Sequence, residues 1–164
     1  MGTLVVVLGL NCSAKKTVTG MLRKKERAYV VSRKEFRKAW QSLTGLLEEE
    51  VNEKYYEHVN ESLLSDDYTV VDDKLISAQD RKVFFDNVKI PKGTKVVGVW
   101  VEGTRSSIAK SKSSKFADEY FKKRRIPKKH EGFDDIIDIS CGEDESASSI
   151  MVKVENAMRK LKSL

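Results

Sequence analysis

Thr3-Leu4-Val5-Val6-Val7-Leu8-Gly9-Leu10-Asn11-Cys12-Ser13-Ala14-Lys15-Lys16-Thr17 decides how the rest of the chain is read. A β-branched apolar run ends at a glycine. A short polar loop, a lysine and a helix-capable segment follow. This is the layout of a strand, a phosphate-binding loop and a helix, in which backbone N–H groups and a lysine face an anion at the positive end of the helix. The usual pattern is G-x-x-x-x-G-K-[ST]. Gly9 and Lys15 stand in place, but Ala14 occupies the second glycine position and Lys16 the hydroxyl position.

The chain of 164 residues is long enough for one domain with a real core, so we expect a single domain over 1–164. Its 31 Lys+Arg against 25 Asp+Glu give a formal charge of +6. That excess fits a polyanionic partner, nucleic acid above all, and fits an ordinary charged surface as well. Cys12 and Cys141 form no metal or redox spacing and read as free thiols. Cys12 is either a thiol activated at a helix N-terminus or a small loop residue. His58 and His130 lie too far apart in sequence to imply a metal site. The front apolar run is too short for a signal peptide, and no run approaches the roughly 18 apolar residues of a membrane span, so we expect a cytoplasmic protein.

Outward from the loop, residues 3–9 read as a buried parallel strand and Thr17 to about Lys25 as a helix with a weak first turn. Residues 28–32 form a second strand. Ser32 caps a helix that carries Phe36, Ala39, Trp40 and Leu43 at helical spacing. In the helical region 46–64, Leu46, Leu47, Val51, Tyr55, His58, Val59 and Leu63 make an apolar stripe. Tyr68–Val71 is a third strand ending at Asp72-Asp73. Ser77 and Asp80 open a helix through Phe85, and Lys95–Val101 is a fourth strand. A basic segment over about 104–129 follows, closed by Pro127. Phe133–Ile139 is the last strand, and a helix over 145–163 has Ile150, Val154, Ala157, Met158 and Leu161 on one face. Strands alternating with helices give an α/β fold with a parallel five-stranded sheet flanked by helices.

Four stretches resemble the P-loop polynucleotide 5′-hydroxyl kinase family of the bacteriophage type. Gly9–Thr17 is similar to G-x-x-x-S-G-K-S-T, and Val31-Ser32-Arg33-Lys34-Glu35-Phe36-Arg37 to I-N-R-D-D-x-R. Val70 to Arg81 is similar to V-x-D-x-N-L-x-x-x-x-R. Pro127 with Glu131-Gly132-Phe133-Asp134 is similar to P-x-x-x-E-G-F-D. The resemblance spans nearly the whole chain in order. It implies a P-loop kinase fold and a phosphate site at Gly9, Cys12, Ser13, Ala14, Lys15, Lys16 and Thr17. It implies catalytic positions at Lys15, Lys34, Glu35, Arg37 and Asp72. It also implies a lid that meets nucleic acid through Arg105, Lys110, Lys112, Lys115, Arg124 and Arg125.

The departures fall on the chemistry. Alanine at 14 narrows the cradle and is strained if its φ is positive. A lysine at 16 cannot ligate magnesium, and a lysine at 34 cannot accept a proton in place of the family's aspartate base. Two rescues are open. Lys16-Thr17 serves as the Lys-Thr pair if the loop shifts register, or Glu35 replaces the base although adjacent helical residues point about 100° apart. We expect a pseudokinase whose lysines 15, 16 and 34 hold an anion without metal and which binds nucleic acid, phosphate or nucleotide as a regulatory module. The alternatives are an active kinase using ATP and magnesium on a nucleic-acid 5′-hydroxyl, a modified DNA base or a nucleotide, and a scaffold subunit with a protein partner.

Overall fold

The computed structural model describes residues 2–25, 28–44 and 47–164. Five strands, β1 (Thr3–Leu8), β2 (Tyr29–Ser32), β3 (Tyr68–Asp72), β4 (Lys95–Glu102) and β5 (Asp135–Ser140), form one sheet in the order β2-β3-β1-β4-β5. Every pairing is parallel. The helices are α1 (Ser13–Lys25), α2 (Arg33–Thr44), α3 (Glu48–Ser65), α4 (Ala78–Asn87), α5 (Arg105–Ser111), α6 (Ser114–Lys123) and α7 (Ala147–Ser163).

The unbroken apolar run of β1 follows from its central place. Val5 and Val7 face one layer, with Val18 and Leu22 of α1 and Val154 and Met158 of α7. Leu4, Val6 and Leu8 face the other, with Tyr55 and Val59 of α3 and Phe84 of α4. A strand with helices on both faces needs apolar residues at both parities of the alternation. A smaller third cluster of Leu10, Ile108, Ala117 and Tyr120 seats α5 and α6 against the chain that leaves β1.

Three boundaries differ from the sequence expectation. α1 begins at Ser13, not Thr17, because the Cys12 carbonyl accepts from Lys16 N at 3.1 Å and Ala14 is already buried on the core. β5 begins at Asp135 rather than Phe133. Phe133 instead fills the space above Gly98, where an added Cβ would lie 2.9 Å from its ring. Leu47 is no part of the α3 stripe; it stands at the helix N-terminus, 71% exposed. Leu46 and the Leu43 side chain lie outside the described residues.

The stretch that resembles E-G-F-D is structural. Glu131 Oε2 accepts from Arg81 Nε at 2.9 Å, and Arg81, 1% exposed, also donates to Leu75 O at 2.8 Å. Asp134 Oδ2 accepts from Val96 N at 2.7 Å and continues the edge of β4. Two stretches that look unrelated in sequence therefore form one buried ion pair.

Candidate functional site

In an open parallel sheet, the cleft forms outside the carboxyl ends of the strands where successive connections diverge. Here the chain fills β2 and β3 on one side of β1 and then crosses to β4 on the other. At the end of β1 the chain turns through Gly9, at φ 115°. A Cβ on Gly9 would lie 2.0 Å from Val101 O, so only glycine fits. Gly9 N donates to Lys74 O at 2.8 Å and ties the loop to the turn after β3.

Ala14 is not strained. Among the described residues the only non-glycine with positive φ is Leu75, at 41°, and Ala14 sits inside α1 with its methyl against the core. Lys15 is 2% exposed. Its ammonium donates to Gly9 O at 2.7 Å and to Asp73 O at 3.1 Å, and pairs with Asp72 Oδ1 at 2.9 Å. An ammonium has three donors, and these partners take all three.

Lys16 does not join the cleft as the sequence reading expected. It is exposed on the solvent side of α1, one residue and about 100° round the helix from the buried Lys15. The Thr17 hydroxyl donates to Ser13 O at 3.0 Å, within its own helix. The shifted Lys16-Thr17 register therefore finds no support in the geometry. Glu35 also points elsewhere: it is exposed, pairs with Arg23 at 3.3 Å, and does not line the cleft.

α2 supplies three cations to the cleft: Arg33, Lys34 and Arg37. Its first turn is set by Ser32, whose Oγ accepts from Glu35 N at 3.3 Å. Arg33 Nε pairs with Asp73 Oδ2 at 3.1 Å, Nη1 donates to Asn52 Oδ1 at 2.6 Å, and the guanidinium lies 4.6 Å from the centre of the Tyr55 ring. Arg37 pairs with Glu48. The buried Asp73 also accepts from Tyr55 Oη at 3.3 Å and from Lys74 N at 2.8 Å. Burial pushes its carboxyl above the ordinary aspartate value, against the opposing pull of Arg33 and the Lys74 N–H. Burial and then Asp73 push the Tyr55 hydroxyl well up.

The whole cleft, about 230 Å³, is lined by Asn11, Lys15, Arg33, Lys34, Arg37, Asp72, Asp73, Lys74 and Lys112. It holds six cations against two carboxylates. Lys74 is pushed below the ordinary lysine value, first by desolvation and then by the positive charges of Lys112, Lys15, Lys34 and Arg37. Asn11, Arg33, Asp73 and Lys74 were not among the expected site residues. Period-two alternation offers only one of two neighbouring strand-end aspartates to a site, and nothing in the sequence marks Lys74.

The basic lid divides by role. Arg105 pairs with Asp118 across α5 and α6. Arg124 Nε pairs with the buried Glu102 at 2.6 Å, and Tyr120 Oη donates to the same carboxylate at 3.4 Å. Burial, and then Glu102, push the Tyr120 hydroxyl up. Arg125 donates to the carbonyls of Lys122, Lys123 and Arg124. Lys110 and Lys115 are exposed away from the cleft, and Lys112 alone of the expected lid residues reaches it. The two cysteines flank the end of β4: a Cβ on Gly103 would lie 3.3 Å from Cys12 Cβ, and Cys141 N donates to Glu102 O at 3.0 Å. Burial first and Cys12 next push the Cys141 thiol up.

No family model matches the sequence, and no curated protein matches it significantly. Solved structures do. A sugar kinase from Janibacter sp. superposes with a TM-score of 0.61 at 13% identity, covering 99% of this chain and 95% of that one. A gluconokinase from Sinorhizobium meliloti gives 0.58 at 15% identity, over 98% and 93% of the two chains. The APS kinase of Mycobacterium tuberculosis gives 0.50 at 18% identity, over 98% and 97%. The fold is that of the P-loop kinases. At these identities the likeness concerns the fold alone. Among the described residues no helix is long and apolar enough to cross a membrane, and no group of three or more His, Cys, Asp or Glu is placed to hold a metal ion.

Proposed function

We propose that this chain is a polynucleotide-kinase-like pseudokinase, a P-loop protein that binds a phosphate-bearing ligand without magnesium and acts as a binding or regulatory module. The observation that carries the reading is the donor set around Lys15. Magnesium–nucleotide binding on this fold needs a hydroxyl after the lysine and a carboxylate free for the metal. Here the position after Lys15 is an exposed lysine, the Thr17 hydroxyl is turned to Ser13 O, and Asp72 is tied to Lys15. These residues do not fit a magnesium–nucleotide held in the manner of a kinase. They leave a cleft rich in positive charge, which attracts polyanions over several ångströms.

Nucleic acid is the partner we favour, because the exposed lysines of α5 and α6 extend the same positive field. The kinase neighbours and Asp73 favour a second reading, an ATP- and magnesium-dependent kinase for a small molecule. Asp73 is a cleft carboxyl whose proton affinity is raised by burial, which suits a group that accepts a proton. Calorimetric titration with ATP and with a 5′-hydroxyl oligonucleotide, with and without magnesium, beside a labelled-phosphate transfer assay, separates the two. Binding that survives EDTA without transfer is expected. Magnesium-dependent transfer lost in Asp73→Asn would overturn the pseudokinase reading.

A further inference from the structure

The six cations of the cleft are not equivalent. Lys15 is committed to Asp72, Arg33 to Asp73 and Arg37 to Glu48. The ammonium groups of Lys34, Lys74 and Lys112 have no ion pair or hydrogen-bond acceptor among the described residues. They come from three separate elements: the first turn of α2, the turn after β3, and the junction of α5 and α6. A lysine in the first turn of a helix meets the positive end of the helix dipole and gains when an anion sits beside it. Lys74 is pushed down first by desolvation and then by the charges of Lys112, Lys15, Lys34 and Arg37, so its ammonium stands within a positive cluster. A second cavity, also about 230 Å³, shares Asn11, Lys34, Lys74 and Lys112 with the first and adds Leu10, Ile108 and Ser111. The side chains of Lys34, Lys74 and Lys112 therefore line both cavities, and Leu10 and Ile108 add apolar lining to the second.

The geometry points to a relocated anion site: Lys34, Lys74 and Lys112 together bind a diphosphate group, while Lys15, the lysine of the phosphate loop, is a structural group outside that site. This rests on the proposed metal-free cleft and names its ligand chemistry. Three uncompensated charges match a diphosphate better than a single phosphate, and the ligand bridges the lid to the body of the protein through Lys112. Lys15 holds the loop, β1 and β3 together through Gly9, Asp72 and Asp73 and has no donor left for a ligand.

The test is calorimetric titration of the full chain with pyrophosphate in EDTA. The wild type, Lys34→Ala, Lys74→Ala, Lys112→Ala and the charge-neutral pair Lys15→Met/Asp72→Asn are compared, with circular dichroism to report folding. Each single lysine substitution is expected to weaken binding about tenfold or more, as for loss of a charge-assisted hydrogen bond. The folded Lys15→Met/Asp72→Asn protein is expected to stay within about threefold of the wild type. Near-wild-type affinity in Lys74→Ala and Lys112→Ala would overturn the inference whether or not the double variant folds. So would wild-type binding of ATP in EDTA without binding of pyrophosphate, and that result would leave the cleft reading standing. Failure to bind either ligand would overturn the cleft reading itself.

Discussion

Replacing Glu131 with alanine removes the carboxylate paired with Arg81, whose guanidinium is 1% exposed beneath α4. Two bonds are lost, Arg81 Nε to Oε2 at 2.9 Å and Lys128 N to Oε1 at 2.6 Å. Glu131 is itself only 12% exposed, so solvent screens the pair little. Leaving one buried charge without its partner typically costs about 3–5 kcal/mol. That is a large share of the ~5–15 kcal/mol that stabilises a domain. At about 2–4 °C per kcal/mol for a chain of this length, the melting temperature should fall by roughly 6–20 °C. Urea denaturation, with the slope checked against the wild type, measures the free energy directly. Glu131→Gln keeps an acceptor for Lys128 N and isolates the charge, so its loss should be intermediate. Arg81→Met/Glu131→Leu, which leaves no buried charge, should recover much of the stability. The effect should reach the cleft, because Arg81 also holds Leu75 O in the positive-φ turn that follows Asp73 and Lys74. A cost below about 1 kcal/mol for Glu131→Ala would refute the argument, since only a hydrated pair is so weak.

Gly9→Ala should fail to give soluble folded protein, or melt far below the wild type, because its Cβ would lie 2.0 Å from Val101 O at a φ of 115°; expression and thermal melting decide. Arg124→Ala strands the buried Glu102 and should cost about 3 kcal/mol in urea denaturation. In titrations with single-stranded oligonucleotide the same variant should leave the salt dependence unchanged, whereas Lys115→Ala should lower the slope of log K against log salt by about 0.7. Asp73 holds its proton to higher pH in the folded protein than in the unfolded chain. Between the ordinary aspartate range, about 3.9, and that raised value, the folded state binds more protons, so this group's contribution to stability falls as pH rises. The stability of the wild type relative to Asp73→Asn, followed by thermal melting across the acid range, should decline with increasing pH; a rise would contradict the assignment.

Much of the fold was legible because the central strand must be apolar at both parities, and because caps such as Ser32 and Ser77 act on residues three positions away. The stripe of α7 was legible for the same local reason, with Val154, Ala157, Met158 and Leu161 all buried. The site was legible only as positions. Sequence placed Lys15 in the loop after β1, Lys34 and Arg37 on α2 and Asp72 at the end of β3, and the structure gathers these four in one cleft. It put Lys15 in place but set Lys16 beside it in the same cleft, since the direction of each depends on where α1 begins, and the start of a helix is fixed by what its first turn packs against.

By itself, then, the sequence determined the order of strands and helices, the glycine at the end of β1 and the unusual charge of the loop, all of which follow from local periodicity and residue chemistry. Only the tertiary structure decided which charges are neutralised. Lys15 meets Asp72, Arg33 meets Asp73, Arg81 meets Glu131 and Arg124 meets Glu102 across separations that no spacing rule reaches. An ion pair depends on distance and burial rather than on sequence order. The three ammoniums left over after that pairing define where an anion is expected.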